Sequence, residues 1–212
     1  MPVDAPPSDP HHRQKGSRWN HSIQYYPRLL DAIPKGAKRA LDVGCGEGTL
    51  ARELRARVPL VTGIDMDEAA LERARAQGHG EITYVQGDVM TYPFAADSFD
   101  VVTCVAVLHW LDTEAGLQRL ASLVAPGGLL GVIGLGRREP VDLPWDSIGF
   151  FVHHWLAWRR GLWRPGVAVT DPSDSHREVR AVARRVLPDA EFRQHVLFRH
   201  TILWRRPVDV KS

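Results

Sequence analysis

Several features that would point to a particular class of protein are scarce or missing in this chain. Cys45 and Cys104 are its only cysteines, and no C-x-x-C pair or cysteine–histidine cluster is present, so we expect neither a disulfide scaffold nor a metal site. Basic residues (27) nearly balance acidic residues (25), and the net charge of +2 lacks the basic excess typical of nucleic-acid-binding proteins. The remaining composition is that of an ordinary globular domain.

Long hydrophobic runs are also missing. The longest apolar stretch, residues 127–136, is far shorter than the ~20 residues that span a bilayer, and residues 1–10 lack the apolar core of a signal peptide. We therefore expect a cytoplasmic protein without a membrane partner. Residues 1–16 are expected to be a disordered tail, and residues 17–206 to form a single domain.

The most informative stretch of the chain is A-L-D-V-G-C-G-E-G-T at residues 40–49. A β-type run there breaks directly into alternating glycines, and a helical stretch follows. Glycine lets the backbone pass close to a bulky ligand because it has no Cβ and tolerates positive φ, and the helix start directs N–H groups to the same point. The pattern predicts a ligand cradle.

Two kinds of cofactor fit a glycine-rich turn of this type. Nicotinamide dinucleotides favour G-x-G-x-x-G, whereas this turn reads G-x-G-x-G and has Thr49 at the position of the third glycine. Asp42 would lie poorly beside a pyrophosphate of like charge and suits a ligand with a cationic group. The turn resembles the first motif of the class I S-adenosylmethionine (SAM)-dependent methyltransferases, whose cofactor carries an ammonium and a sulfonium.

Four further stretches resemble successive motifs of the same family, in the family's order. The second strand ends at Asp65, where a carboxylate can bind both ribose hydroxyls, although this feature fits NAD equally well. The third strand ends in Gly-Asp at Asp88, the fourth motif covers residues 98–110, and the fifth contains the Pro-Gly-Gly turn at residues 126–128. With the first motif, the resemblance covers residues 40–135.

Within the family, the chain resembles the small-molecule, type 11-like members. This resemblance implies SAM as the cofactor, S-adenosylhomocysteine (SAH) as the product and no metal. It also implies an α/β fold with a Rossmann-like seven-stranded mixed sheet, made of five parallel strands and a C-terminal antiparallel hairpin, with helices on both faces. The residues that it places at the cofactor are Asp42, Gly44, Cys45, Gly46, Gly48, Asp65, Met66, Asp88, Val89, Val105 and His109.

The order of elements supports that fold independently. Strand and helix signals alternate from residue 40 onward, with helices expected at 48–57, 67–77 and 112–124. Another helix is expected to begin at Ser175. The two strands that follow it are too close together for a parallel crossover, so they should form an antiparallel hairpin, which a plain dinucleotide-binding sheet would lack.

Each acid at a strand end also has a structural explanation. Asp42 could be a helix-cap or turn residue, Asp65 could cap the helix that follows it, and Asp88 could form a turn. Their positions at successive strand ends favour the functional interpretation, because open α/β sheets bind ligands at the carboxyl edge.

Two aromatic-rich segments lie outside the predicted sheet. Residues 17–36 should form an N-terminal helical segment, and residues 141–170, with four of the seven tryptophans, should form a lid over the substrate or an interface in a homodimer. A monomer is equally compatible with the sequence. The aromatic side chains predict an apolar pocket for a small or medium organic acceptor. The predicted pocket residues are Tyr25, Tyr26, Trp110 and Trp155.

Methyl transfer relies on the cofactor for reactivity and on the protein for position and electrostatics. The sequence leaves open whether a base is used; for a phenol, hydroxyl, amine or activated-carbon acceptor, the candidate bases are His109, His153 and His154. His109 is best placed, because its strand end should face the methyl group, although a structural or cofactor-contacting role fits it too. Whether oxygen, nitrogen or carbon is methylated is undetermined at this level.

Two other functions are compatible with the same residues. A nicotinamide-dependent oxidoreductase would also use Gly44, Gly46 and Asp65. A non-catalytic SAM-binding or interaction protein would use residues 141–170 as a dimer surface.

Overall fold

The predicted parallel strands form one continuous sheet. The computed structural model describes residues 21–78, 81–137, 139, 155, 158, 171–195 and 199–208. The apolar runs of the central parallel strands are buried between helices on the two faces of the sheet, whereas the edge strand Ile82–Gln86 is only partly buried. These strands are β1 (Arg39–Val43), β2 (Leu60–Asp65), β3 (Ile82–Gln86), β4 (Phe99–Val105) and β5 (Val124–Leu135).

The C-terminal hairpin completes a seven-stranded sheet of order β3-β2-β1-β4-β5-β7-β6, where β6 is Glu191–His195 and β7 is Arg199–Arg205. β7 is antiparallel to both of its neighbours, so β6 runs in the same direction as the first five strands. The predicted fold class is confirmed. The carboxyl ends of β1 to β6 therefore share one edge of the sheet with the start of β7.

Five helices flank the sheet in the described ranges, and two 3₁₀ turns, Ile23–Tyr25 and Leu108–Trp110, accompany them. The helices are α1 (Tyr26–Asp31), α2 (Thr49–Arg55), α3 (Glu68–Ala76), α4 (Thr113–Leu123) and α5 (His176–Val186). No helix among these residues is long and apolar enough to cross a membrane.

Local capping fixes where several helices begin. The side chains of Asp67 and Asp112 accept hydrogen bonds from backbone N–H groups in the first turns of α3 and α4. Ser175 and Glu178 form a reciprocal capping box at the start of α5. The predicted helix starts near these residues are confirmed to within one or two positions.

The sheet carries one hydrophobic cluster on each face. α4 and α5 cover one cluster, which includes Leu41, Leu120 and Ile202, and α1 and α2 cover the other, which includes Leu29 and Leu54. Each fully buried leucine contributes about 1.5–3 kcal/mol of hydrophobic free energy. The two clusters therefore bury both faces of the central sheet.

The Pro-Gly-Gly segment differs from the prediction of a turn that precedes the fifth strand. β5 already begins at Val124, which pairs with Phe99, and the register then shifts before Leu129 pairs with Val101. Gly127, with φ of 78°, lies in the irregular stretch between these pairs. The segment is therefore an irregularity within the strand.

The predicted tail at residues 1–16 and nearly all of the aromatic segment at 141–170 lie outside the described residues. Within that segment the structure describes Trp155 and Trp158, whose side chains are both exposed. The assignment of this segment as a lid or an interface, and the domain boundaries at 17 and 206, stay predictions.

Candidate active site

The glycine turn after β1 has the backbone conformation that its sequence predicts. Gly44, Gly46 and Gly48 have φ values of 65°, 50° and 72°, a region that residues with a Cβ rarely adopt. A Cβ at Gly44 would lie 2.0 Å from Val107 Cγ2, and one at Gly48 would lie 2.2 Å from the Tyr84 hydroxyl. Among the described residues, a Cβ at Gly46 would meet nothing within 4 Å, so of the three glycines this one borders open space in the described part of the chain.

Hydrogen bonds attach the turn to the carboxyl end of β2. The Gly44 and Cys45 N–H groups donate to the Ile64 carbonyl at 2.8 and 3.1 Å, and the Gly46 N–H donates to Asp65 Oδ2 at 2.7 Å. The other carboxylate oxygen of Asp65 accepts from the Asp67 N–H at 2.9 Å. Because Asp67 caps α3, Asp65 is not the cap, and its carboxylate is instead oriented beside the glycine turn.

Asp42 is buried beneath the turn, with 2 % of its surface exposed. The Thr103 hydroxyl donates to Asp42 Oδ1 at 2.8 Å. Burial raises the pKa of Asp42 to about 7, although hydrogen bonds from Thr103 and from the Ala51 N–H in the first turn of α2 oppose the shift. The carboxyl group can therefore exchange a proton near neutral pH.

The remaining residues predicted at the cofactor occupy different environments. Asp88 forms a turn in which its Oδ1 accepts from the Met90 N–H at 2.9 Å, while Val89 is buried in the core and Met66 is 70 % exposed. Cys45 is buried against Gly63, and burial raises the pKa of its thiol, so it is not a thiolate. Val105 ends β4 and is partly buried.

His109 lies on the 3₁₀ turn directly after β4. Its Nδ1 is buried and has no hydrogen-bond partner among the described residues. Burial and the nearby Arg199 guanidinium lower the pKa of His109, so the imidazole is neutral at pH 7. A small cavity beside it is lined by Thr113, Leu135 and Asp174. A neutral ring nitrogen in this position can accept a proton.

The aromatic residues predicted to form the acceptor pocket are only partly brought together. Tyr25 stacks on His195, with 4.3 Å between ring centroids. Tyr26 packs in the α1–α2 cluster, where burial and Asp42 raise the pKa of its phenol. Trp110 lies next to His109 and is half exposed.

The other predicted pocket and catalytic residues lie in the segment of which few residues are described. Trp155 is 53 % exposed, with neighbours in the chain that are not described. His153 and His154 lie outside the described residues, so their candidacy as bases stays a prediction. Among the described residues, no three histidine, cysteine, aspartate or glutamate side chains form a group that could hold a metal ion.

Comparison with known proteins shows the family. A model of the methyltransferase domain matches residues 41–132. An uncharacterized methyltransferase of Mycobacterium tuberculosis is 34% identical over 194 residues, which are 90% of this chain and 98% of that protein. The chain belongs to the SAM-dependent methyltransferases. This assignment decides between the two cofactors that fit the glycine turn, in favour of SAM.

Two further proteins resemble the methyltransferase less completely. The malonyl-[acyl-carrier protein] O-methyltransferase of Erwinia pyrifoliae is 34% identical over 126 residues, which cover 58% of this chain but only 48% of that enzyme. The crystal structure of the N-methyltransferase NodS from Bradyrhizobium japonicum in complex with SAH superposes with a TM-score of 0.59 at 18% identity, over 87% of this chain and 85% of that chain. The second likeness concerns the fold alone.

Several polar residues at the carboxyl edge of the methyltransferase sheet were not predicted from the sequence. Arg199 Nε donates to Ser22 Oγ at 3.2 Å, and burial lowers the pKa of Arg199 to about 10. His195 Nε2 lies 2.9 Å from Thr201 Oγ1. The sequence could have indicated these residues, because histidines and arginines are concentrated around the predicted hairpin. Such residues are rare in a strand whose side chains only pack in a core.

Proposed function

We propose that this methyltransferase transfers the methyl group of SAM to a small or medium organic acceptor held near His109 at the carboxyl edge of the sheet. We infer the position of the cofactor from the open space in front of Gly46, which lies beside the oriented carboxylate of Asp65. Half-exposed Trp110 and neutral His109 border the region where the acceptor would lie. The Erwinia relative is a malonyl-[acyl-carrier protein] O-methyltransferase, and by analogy it supports an acceptor that carries an acyl group.

The cofactor would lie along the edge formed by β1, β2 and the segment after β3. The glycine turn would hold its methionyl and ribose parts, and Asp65 would accept hydrogen bonds from the ribose hydroxyls. Asp88 and Val89 would flank the adenine, and Val105 would line the path toward the acceptor. Met66 and Cys45 would contribute surface at either side of Asp65.

When bound, SAM supplies an electrophilic methyl group on a positively charged sulfur. The protein would place the acceptor atom in line with that methyl group, and such positioning can lower the barrier by on the order of 7–11 kcal/mol. His109, neutral at pH 7, would take the proton that a hydroxyl or amine acceptor loses as its bond to carbon forms. Asp42 would offer negative charge beneath the site as the cofactor's ammonium group binds.

The direct test of this function is turnover of SAM carrying a labelled methyl group with a panel of phenols, amines and carboxylic acids. Label should move from SAM into an acceptor of the panel, with release of SAH. Binding of SAH without transfer to any acceptor would favour the non-catalytic SAM-binding alternative instead.

Binding of SAH should weaken as the pH falls below about 7. Asp42 has a pKa of about 7, and the ammonium group of SAH favours the ionised carboxylate, so at lower pH binding must release a proton. Below pH 7 the affinity should fall by up to about tenfold per pH unit. Calorimetry between pH 5.5 and 8, in buffers with different ionisation enthalpies, measures both the affinity and the released proton.

The Asp42→Asn variant is the control for this dependence, because its amide cannot ionise. Its SAH affinity should change little with pH, and no proton release should accompany binding. Relative to Asp42→Asn, the wild-type protein should lose folding stability as the pH rises from about 4 to about 7, because the folded pKa of Asp42 lies above the reference value of 3.8. A wild-type SAH affinity that does not change with pH, together with a stability difference between the two proteins that does not change with pH, would contradict the assignment.

Replacement of His109 by Ala should separate proton transfer from cofactor binding. If His109 is the base, SAH affinity should stay within about threefold, while the rate with a hydroxyl or amine acceptor should fall by about 10²–10⁴-fold. Because burial and Arg199 lower the pKa of His109, the rate of the wild-type enzyme should decline only when the pH falls below the usual pKa range of histidine. Equal losses in SAH affinity and rate would assign His109 to the cofactor site.

The organisation around this domain is also part of the proposal. Residues 17–206 would form one domain, 141–170 would serve as a lid or a homodimer interface, and the protein would act without a nucleic-acid or membrane partner. Analytical ultracentrifugation of the wild-type protein and of a variant with both Trp155 and Trp158 replaced by Ser distinguishes the lid from the interface. Dissociation of a dimer by these substitutions would favour the interface.

A further inference from the structure

The two ring nitrogens of His109 lie in different surroundings. Nδ1 is buried, and no described residue forms a hydrogen bond with it. Nε2 has no such partner either, but it is not shielded from solvent. A buried polar atom without a partner destabilises the folded protein, and in native structures such atoms nearly always bind another polar group or an ordered water molecule. Nδ1 therefore needs a partner inside the protein, whereas Nε2 stays available to an acceptor.

His109 lines a small cavity whose lining also supplies polar groups. Thr113, Ser173 and Asp174 contribute these groups, and Leu108 is among the apolar residues of the lining. The cavity volume of about 10 Å³ is the space that one water molecule needs, so neither the acceptor nor the cofactor fits there. A water molecule inside a protein is stable when it has about two to four polar partners, and this lining can supply them.

Asp174 is held in a fixed orientation at this cavity. Its Oδ2 accepts a hydrogen bond from the buried Thr113 hydroxyl at 2.6 Å, and its backbone carbonyl accepts from the Arg137 N–H at 2.7 Å. Thr113 is the first residue of α4, and Ser175, directly after Asp174, caps α5. Asp174 Oδ1 forms no hydrogen bond with a described residue. This oxygen can therefore accept a hydrogen bond from a water molecule.

We propose that one water molecule in this cavity joins His109 Nδ1 to Asp174 Oδ1, and that Asp174 is thereby a positioning residue for His109. The water molecule accepts a hydrogen bond from the Nδ1–H group and donates one to the carboxylate. Because an ionised carboxylate can only accept, the direction of both hydrogen bonds is set, and the proton of the neutral imidazole lies on Nδ1. This inference rests on the proposed function, in which His109 is the base.

The tautomer that Asp174 selects is the one that a base requires. With the proton on Nδ1, the lone pair of Nε2 is open to solvent and can take the proton of a hydroxyl or amine acceptor. As that proton leaves, the acceptor's electron pair forms the bond to the methyl carbon, and the electron pair of the broken carbon–sulfur bond stays on the sulfur of SAH. The imidazolium keeps its Nδ1–H bond to the water molecule, whose contact with the Asp174 carboxylate stabilises the positive charge.

Long-range ¹H–¹⁵N NMR of the full-length protein, labelled with ¹⁵N at histidine and measured at pH 8, determines the tautomer of His109. The chemical shift of each imidazole nitrogen shows whether that nitrogen carries a proton, and the signals missing from His109→Gln assign His109 among the 10 histidines. The wild-type protein should carry the proton on Nδ1. A wild-type His109 with the proton on Nε2, or with both tautomers equally populated, would overturn the proposal whatever the variants show.

Asp174→Asn should reverse the tautomer. Its amide oxygen can still accept from Thr113, but its NH₂ group then faces the water molecule, which would accept from the amide and donate to Nδ1. The proton of His109 should move to Nε2, and the rate with a hydroxyl or amine acceptor should fall by about 10–100-fold, while SAH affinity stays within about threefold. A role of Asp174 in folding alone would lower the thermal midpoint without moving this proton, and that result would overturn the proposal.

Asp171→Asn is the matched control. It removes an exposed carboxylate from the same segment and changes the net charge of the protein by the same amount. This variant should keep the wild-type tautomer and the wild-type rate. If Asp171→Asn also moved the proton of His109 to Nε2, a general effect of charge would explain both variants, and the water-mediated contact with Asp174 would be wrong.

The two hypotheses fail in different ways. If the tautomer responds to Asp174→Asn but no acceptor is methylated, the contact between Asp174 and His109 stands and the proposed function is wrong. If an acceptor is methylated and the tautomer does not respond to Asp174→Asn, the proposed function stands and the positioning role of Asp174 is wrong.

Discussion

Gly46→Val is expected to abolish SAH binding, with a loss of at least about 100-fold in affinity, while the protein stays folded. The Cβ at this position would point into open space beside Asp65, where the cofactor is proposed to lie. A branched side chain there would occupy the volume of the ligand without contacting the protein. Isothermal calorimetry with SAH, with thermal unfolding of the same samples, measures both effects.

Gly36→Val is the matched control for this substitution. Gly36 has a φ of 81°, and a Cβ there would also meet no described residue within 4 Å, but it lies in the turn before β1, at the opposite end of that strand. Both variants should lose about 1–2 kcal/mol of stability from the left-handed backbone conformation. Only Gly46→Val should lose SAH binding. Comparable SAH affinities for the two variants would show that Gly46 does not border the cofactor.

Asp65→Ala is expected to weaken SAH binding by about 1–3 kcal/mol, the range for lost hydrogen bonds to a charged group. The substitution removes the carboxylate proposed to bind the ribose, and it also releases the Gly46 N–H that now donates to Asp65 Oδ2. Both changes act on the same part of the site. Calorimetric titration with SAH gives the loss directly.

Asp67→Ala supplies the comparison, because it removes a carboxylate only two residues away. Asp67 caps α3 through the Ala70 N–H, so its loss should cost about 1 kcal/mol of folding stability. SAH affinity should stay close to that of the wild-type protein. If Asp67→Ala weakened binding as much as Asp65→Ala, general loss of negative charge would explain both results, and the specific role of Asp65 would be wrong.

The features that could be predicted from the sequence are those that depend on residues close together in the chain. The glycine turn was predictable because positive φ at Gly44, Gly46 and Gly48 requires residues without a Cβ. The hairpin was predictable because a short connection forces antiparallel pairing, and the start of α5 because Ser175 and Glu178 have capping-box spacing.

The contacts that escaped prediction join residues far apart in the chain. Thr103 reaches Asp42 across 61 residues, and only the register of β1 with β4 brings them opposite each other. Arg199 reaches Ser22 across 177 residues, through the packing of the N-terminal turn against the hairpin. Such pairs depend on tertiary register, for which a single sequence carries no periodic or compositional signal.

Isothermal calorimetry of the wild-type protein with SAH and, separately, with NADH tests whether the glycine turn and Asp65 form a SAM site. We expect SAH to bind with a dissociation constant on the order of micromolar, about 8 kcal/mol of binding free energy, and NADH to give no heat. Binding of NADH without binding of SAH would contradict it.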